Sequence, residues 1–140
     1  MSKSVVFIGH YNGGKKDFDS RHYFFAKELA KLGYKATIIN AAYSHRIHNA
    51  KLIKEPYIKF YDDGVCFISV KTPFYKGNGL KRIINMLSFT KNLIKYSKGI
   101  LKEIGGIDYI VMATPHPFQF FGAKFISIRS SAKLIIDVKD

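Results

Sequence analysis

The chain is poor in sulfur and has no tryptophan, and its one cysteine, Cys66, stands alone among 140 residues. A single thiol cannot build an internal disulfide framework, which excludes a disulfide-stabilised secreted scaffold. Cys66 lies in an apolar alternating segment, where we expect a buried structural thiol in a reducing cytoplasm. No apolar run reaches the roughly 20 residues that cross a bilayer, and the first residues lack the pattern of a signal peptide.

Acidic residues are also scarce. Ten Asp and Glu stand against 23 Lys and Arg, which gives a formal net charge of +13. This imbalance predicts an anionic partner, and anionic lipid, a phosphate-bearing substrate and nucleic acid all fit it. Hydrophobic residues make up 47% of the chain and aromatic residues 15%, a composition that argues against disorder. The length predicts one domain with a real core.

The apolar pattern predicts alternating strands and helices. Strands are expected at 4–9, 35–41, 107–113 and 133–138, helices at 21–32, 79–103 and 118–129, and a hairpin of two strands at 57–61 and 65–70. Asp62-Asp63-Gly64 would form the turn of that hairpin. The order predicts an α/β fold: a Rossmann-like, doubly wound, mainly parallel sheet with helices on both faces and a β-hairpin insertion near 57–71.

The predicted helix 79–103 has two distinct faces. One is apolar and is formed by Ile83, Met86, Leu87, Leu93, Ile94, Ile100, Leu101 and Ile104. The opposite face carries a lysine stripe: Lys91, Lys95, Lys98 and Lys102. A solvated surface is the ordinary explanation for such a stripe. However, the stretch from Lys71 to Lys102 holds eight basic residues and no acidic one, and Phe74 and Tyr75 precede the helix. This combination suits an anionic membrane surface.

The carboxyl ends of parallel strands form the ligand edge of such a sheet, and three polar loops fall there. The first contains Gly13 and Gly14, whose backbone N–H groups could approach a phosphate. It is neither the dinucleotide fingerprint nor a P-loop, because a third glycine and a Gly-Lys-Ser/Thr sequence are both missing. A diglycine alone is usually just a turn. Arg21 follows this loop as either a solvated charge or a clamp that binds a ligand or a carboxylate in the cleft.

The other two loops carry histidines. Ser44, His45 and Arg46 follow the second strand and suit a polyhydroxylated or phosphorylated ligand. His116 stands between two prolines at the start of the helix 118–129, facing the predicted cleft. The helix dipole there disfavours a protonated imidazole, so a neutral His116 could exchange hydrogen bonds with a sugar hydroxyl. Capping of its own helix is the competing explanation.

With these residues in place, the whole chain resembles the N-terminal domain of a family 4 glycosyltransferase of GT-B architecture, in particular bacterial enzymes that build O-antigen, capsule or colanic acid polysaccharides. The segments that carry the resemblance are His10-Tyr11, Arg21 with Tyr23, Ser44-His45, Lys71-Thr72-Pro73, Tyr75-Lys76-Gly77-Asn78-Gly79, Arg82, Asn85-Met86 and Pro115-His116-Pro117-Phe118. Lys139, in the segment 137–140, departs from the family, which usually has an arginine before the aspartate.

The resemblance implies sugar transfer from a nucleotide-sugar donor to a glycan acceptor, often linked to polyprenyl diphosphate, with retention of configuration. It implies no metal and no cofactor. Gly13 and Gly14 would approach the donor diphosphate, and His116 would be the catalytic residue that contacts the donor sugar. The candidate acceptor residues are Arg21, Ser44, His45, Lys76, Asn78 and Asp140. The lysine stripe would rest on the inner membrane leaflet, which predicts a cytoplasmic, membrane-peripheral protein.

The resemblance also implies a second, nucleotide-sugar-binding domain, which these 140 residues do not contain. The chain alone would then be inactive, or would be one half of a split enzyme with a separate C-terminal-domain subunit. One alternative is a non-catalytic basic α/β module that binds anionic membrane or nucleic acid, although no recognisable nucleic-acid motif is present, so we expect no nucleic-acid partner. Another is a nucleotide-dependent epimerase or reductase, against which the incomplete glycine pattern argues.

Overall fold

The computed structural model describes residues 3–17, 19–47, 50–114 and 117–138. Within these ranges the chain forms a six-stranded, mostly parallel sheet and four helices. The elements are β1 (Ser4–Ile8), α1 (Arg21–Lys31), β2 (Lys35–Ala41), β3 (Tyr57–Asp62), β4 (Val65–Val70), α2 (Leu80–Lys95), α3 (Ser97–Ile104), β5 (Tyr109–Ala113), α4 (Gln119–Ser130) and β6 (Lys133–Asp137). The mixed α/β class expected from the sequence is therefore confirmed.

The strands follow the order β3-β4-β2-β1-β5-β6, so the first strand of the chain lies in the interior of the sheet. All neighbours pair in parallel except β3 and β4, which form the predicted hairpin. Asp63 and Gly64 both have positive φ, 50° and 80°, as a tight two-residue hairpin turn requires. The hairpin joins the main sheet through β4, which pairs with β2, rather than standing apart as a separate insertion.

Two apolar clusters cover opposite sides of the strands, because successive strand residues point to opposite faces. The larger cluster joins Ile8, Ile39 and Ile68 to apolar residues of α2, α3 and α4. The smaller one joins Phe7, Ile38 and Phe67 to Tyr23 and Ala26 of α1. The strand ends of β1 and β2 thus lie between helices, which positions the loops that follow them.

The prediction of one long helix over 79–103 is wrong. The segment forms two helices, α2 and α3, separated at Tyr96, whose φ of −103° and ψ of 14° lie outside the helical region. Two members of the predicted apolar face, Ile83 and Leu87, have exposed side chains, so that face does not turn inward as a whole. The reason is Asn85, which is fully buried and shares the inward face of α2 with Phe89 and Leu93.

Candidate functional site

A buried polar network fixes the ligand edge of the sheet. His10, the second residue after β1, donates its backbone N–H to Gln119 Oε1 at 2.7 Å. Its ring Nε2 donates to Asn85 Oδ1 at 2.5 Å. The Asn85 amide in turn donates to the carbonyls of Tyr43 at 3.2 Å and Pro73 at 2.6 Å. One side chain of α2 therefore ties that helix to the segments after β1, β2 and β4.

Beside this network lies a set of polar side chains that we call the arginine cleft: Tyr11, His45, Arg46, Asn78 and Arg82. The ring of Tyr11 is buried, and the guanidinium carbons of Arg46 and Arg82 lie 5.1 and 5.9 Å from its centroid. Arg82 donates to the Tyr11 hydroxyl at 3.3 and 3.2 Å and to Asn78 Oδ1 at 2.7 Å. The His45 ring lies 5.7 Å from that of Tyr11. Two guanidiniums thus share one aromatic ring.

The arginine cleft combines these two cations with neutral groups. Burial raises the pKa of Tyr11, although the Arg82 hydrogen bond opposes this, so the hydroxyl stays neutral at pH 7. Partial desolvation, together with Arg82 and Arg46, lowers the pKa of His45, which keeps the imidazole neutral as well. Asp19 contacts Arg46 at 3.4 Å. In the part of the chain that the structure describes, no carboxylate lies within ion-pair distance of Arg82.

The loop after β2 rests on Tyr75, which is buried. The Tyr75 hydroxyl accepts from the His45 backbone N–H at 3.1 Å and also contacts the His45 Nδ1 atom. Ser44 is buried too, and its hydroxyl accepts from the Arg46 N–H at 3.2 Å. Ser44 therefore shapes the loop that presents His45 and Arg46. Lys76, another predicted acceptor residue, is exposed.

The glycine loop, residues 12–17, forms the hydrogen bonds of its two glycine N–H groups within the segment 12–19. Gly13 donates to the Asp19 carbonyl at 2.9 Å, and Gly14 donates to Asp17 Oδ2 at 2.6 Å. A Cβ added at Gly13 would stand 2.2 Å from the Asp17 Cβ, so only glycine allows Asp17 to approach this closely. The Asp17 carboxylate thus already sits where an anion would meet the Gly14 N–H.

Arg21 is held at the end of β6 by an ion pair with Asp137. The neighbouring His22 is fully buried, accepts from the Asn12 amide at 2.9 Å through Nδ1 and donates from Nε2 to Asp137 Oδ2 at 2.7 Å. Burial raises the pKa of Asp137, but the hydrogen bonds from Arg21 and His22 outweigh it, so this pKa lies below its usual value. The hydrogen bonds from Asn12 to His22 and from His22 to Asp137 link the glycine loop to the last strand, and Arg21 strengthens this link through its ion pair with Asp137.

A cavity of about 420 Å³ opens between the glycine loop and the hairpin. The stacked rings of Phe60 and Phe67, 5.1 Å apart, line it together with Ile58. Its remaining lining includes Lys15, Lys16, Lys51, Asp17, Asp62 and Asp63, so its positive and negative charges are matched. None of the predicted acceptor residues of the described chain lines this cavity.

The predicted lysine stripe is exposed along α2 and α3 at Lys91, Lys95, Lys98 and Lys102. The structure adds an apolar crest on the outward side of α2, ahead of the stripe. Its members are Leu80, Ile83, Ile84 and Leu87, which are between 43% and 72% exposed. Apolar and cationic groups therefore share one outward helix surface, an arrangement that the predicted helical wheel did not contain.

Two predicted site residues, His116 and Asp140, lie outside the described residues, so His116 as the catalytic residue stays a prediction. Across the described ranges, no group of three His, Cys, Asp or Glu side chains could hold a metal ion. No helix in those ranges is long and apolar enough to cross a membrane.

The sequence reasoning did not assign a site role to Tyr11, Arg82 or Asn85. All three were noted only as marks of the family resemblance. A polar Asn85 between Ile84 and Met86, three positions from a guanidinium, was the available signal, since a polar residue on an inward helix face requires buried partners.

Comparison with known proteins defines the class of fold. No family model matches the chain, and no curated protein matches its sequence. Among solved structures, the chain is similar to the C-terminal domain of a hydrogenase from Pyrococcus furiosus, at a TM-score of 0.63 and 16% identity. The match covers 96% of this chain and 91% of that domain. At this identity the likeness extends to the α/β fold alone.

Proposed function

We propose that this chain is the acceptor-binding domain of a retaining glycosyltransferase, with the Rossmann-like, doubly wound sheet of a GT-B half. In the proposed reaction, a sugar passes from a nucleotide-sugar donor to a glycan acceptor that is linked to a polyprenyl diphosphate. The pathway would be bacterial surface polysaccharide synthesis. The donor pocket would be completed by a nucleotide-sugar-binding domain, in the same protein or in a separate subunit.

The observation that carries the proposal is the convergence of polar side chains at the ligand edge of the sheet. Tyr11 follows β1, His45 and Arg46 follow β2, and Arg82 lies in the first turn of α2, yet contacts with the Tyr11 ring join all of them. Ligands of open α/β sheets bind beyond the carboxyl ends of the strands. Among the predicted acceptor residues, His45 and Asn78 belong to this cleft, whereas Arg21 is engaged with Asp137.

Acceptor binding can be tested on the chain as it stands. In saturation-transfer NMR with a panel of octyl glycosides, we expect signals from the sugar ring for at least one glycoside. His45→Ala should weaken that signal, because it removes a hydrogen-bonding group that the cleft exposes. Lys102→Gln on α3 is the matched control and should leave it unchanged. If no glycoside in the panel shows saturation transfer to its sugar ring, the result would count against an acceptor domain.

The membrane face is part of the same proposal. The apolar crest and the lysine stripe are exposed on the consecutive helices α2 and α3, and each lysine near an anionic surface adds about 1 kcal/mol. A protein placed in this way would be cytoplasmic and peripheral to the inner face of the membrane.

Sedimentation with anionic liposomes across a salt series tests this face. Binding should fall with salt and disappear when Lys91, Lys95, Lys98 and Lys102 are replaced by glutamate. A variant with Leu80→Gln and Leu87→Gln, which keeps every charge, should weaken binding at high salt more than at low salt. Equal sedimentation of wild type and both variants would reject the membrane face.

A second candidate is a non-catalytic basic module, and the exposed lysine stripe is the observation that favours it. Such a module would need no cleft, so substitutions at His45 and Arg82 would leave its binding unchanged. Titration with a single-stranded oligonucleotide distinguishes a module that binds nucleic acid from one that binds an anionic membrane. Tight, salt-sensitive binding to the oligonucleotide with no liposome binding would favour nucleic acid over the glycosyltransferase proposal.

A further inference from the structure

We infer that the arginine cleft is an anion-binding site that holds a phosphate or diphosphate group between the guanidiniums of Arg46 and Arg82. The identity of the molecule that carries the phosphate, the lipid-linked acceptor, rests on the proposed function. The binding of an anion is inferred from the residues of the cleft alone.

The two guanidiniums come from different elements and are held in place. Arg46 belongs to the loop after β2 and contacts Asp19, while Arg82 belongs to the first turn of α2 and donates to Asn78 and Tyr11. Both lie over the ring of Tyr11, whose side chain is only 2% exposed. Two like charges therefore contact one buried aromatic ring, an arrangement that a shared anion would stabilise.

The groups around Arg82 do not neutralise it. Its hydrogen-bond partners, the Tyr11 hydroxyl and the Asn78 carbonyl oxygen, carry no charge at neutral pH. The pKa of His45, the residue before Arg46, is lowered by desolvation and by the two arginines, so its imidazole is neutral. The cleft thus offers a net positive charge and several hydrogen-bond donors, which is what a phosphate requires.

The start of α2 adds to this charge. The helix begins at Leu80 after Gly79, which provides no side-chain cap, and its first turn contains no acidic residue. The positive end of the helix dipole therefore adjoins Arg82. Asn85, one turn further on, fixes this end of α2 to the strand ends. The cleft is consequently preorganised rather than assembled from mobile surface lysines.

Isothermal titration with inorganic pyrophosphate tests the inference. We expect saturable binding that Arg82→Gln and Arg46→Gln each weaken about tenfold, which corresponds to the loss of one charge-assisted contact. Arg82→Lys should weaken binding less than Arg82→Gln, because lysine keeps the positive charge and lacks only the paired N–H donors of the guanidinium. Lys91→Gln, which also removes one positive charge, is the charge-matched control and should leave pyrophosphate affinity within about twofold.

Two further arms identify the source of the phosphate. Geranyl diphosphate should bind about tenfold more tightly than inorganic pyrophosphate if the cleft takes a lipid-linked diphosphate beside the apolar crest. Equal affinities would assign the cleft to a soluble phosphate, which keeps the anion site and removes the lipid-linked acceptor from the proposed function.

The inference is overturned if pyrophosphate fails to bind, or if the lysine control weakens binding as much as the arginine variants do. Thermal melts of each variant identify any that have lost the fold, and Arg82→Lys then replaces Arg82→Gln in the comparison. Pyrophosphate binding without binding of any octyl glycoside would keep the anion site and reject the glycosyltransferase assignment.

Discussion

Two regions at the ligand edge of the sheet carry hydrogen-bond donors suited to an anion. They differ in whether a carboxylate of the chain already accepts from those donors. The glycine loop has backbone N–H groups that could meet a phosphate but donates the Gly13 N–H to the Asp19 carbonyl and the Gly14 N–H to the Asp17 carboxylate. The arginine cleft places Arg46 and Arg82 over Tyr11 and provides Arg82 with neutral partners. The sequence motif that looks most like a phosphate loop is thus internally satisfied, and the segment without a motif carries the available charge.

In the glycine loop the Asp17 carboxylate acts as a structural anion, whereas the arginine cleft is left open to an external ligand. A carboxylate three residues away meets the Gly14 N–H at little entropic cost, because the loop already holds it close. For a donor diphosphate to reach the same N–H, Asp17 would have to leave it. The arginine cleft has no such competitor at Arg82 within the described residues, so an external anion gains the full interaction there.

The largest effect should come from removing the frame of the arginine cleft. Asn85→Ala deletes a buried amide and leaves the His10 ring N–H and the Pro73 carbonyl without it. We expect a loss of about 3 kcal/mol in the free energy of unfolding, measured by urea denaturation. Asn92→Ala, which removes a single exposed bond to Lys71, should cost about 0.5 kcal/mol or less. Equal losses would show that the network does not fix the cleft.

The glycine loop can be broken by one methyl group. Gly13→Ala would place a Cβ 2.2 Å from Asp17 and push that carboxylate away, whereas Gly14→Ala would meet its nearest atom at 3.4 Å. We expect Gly13→Ala to lower the free energy of unfolding by about 2 kcal/mol. Gly14→Ala should cost clearly less. If the two variants unfolded at the same urea concentration, the close approach of Asp17 would not matter to the loop.

Removing the internal anion should bring the two regions closer in behaviour. Asp17→Ala frees the Gly14 N–H and should cost about 1 kcal/mol of stability, because a partly exposed charge-assisted hydrogen bond is lost. The same variant should bind pyrophosphate more tightly than wild type by calorimetry. An unchanged affinity would show that the loop does not take an external anion even when it is open.

The smallest expected effect is a pH dependence of anion binding. Burial and the two arginines lower the pKa of His45 in the free protein, and a bound phosphate would offset the arginines and raise it. Binding then takes up a proton, so affinity should rise by about threefold as the pH falls below about 6.5. His45→Gln should flatten this slope. A slope that survives in His45→Gln would point to titration of the phosphate itself.

Sequence reasoning found the strands, the hairpin turn and the mixed α/β class because these depend on local patterns, such as the apolar run of β1 and the Asp63-Gly64 turn. It missed the break at Tyr96 because helical periodicity continues through it without a proline. It also placed Ile83 and Leu87 on the same helix face as the buried Leu93, whereas their side chains are exposed. Asn85 faces inward only because its partners come from segments far away in the chain, which no local pattern reveals.

The candidate site was predicted unevenly for the same reason. His45 and Asn78 were singled out from their loops, and the structure places both in the arginine cleft. Tyr11 and Arg82 are 71 residues apart, and only the folded chain brings the guanidinium to the Tyr11 hydroxyl. Arg21 was expected either as a solvated charge or as a clamp for a ligand or a carboxylate, and its pairing with the Asp137 carboxylate depends on where β6 ends in space.

NMR mapping of pyrophosphate onto the isotope-labelled protein tests the central claim most directly. The account predicts that the Arg46 and Arg82 side-chain Nε–H signals shift on titration while the Gly13 and Gly14 amides stay in place. Shifts of the glycine amides with unmoved arginine signals would contradict it, because they would assign the anion to the loop that Asp17 now satisfies.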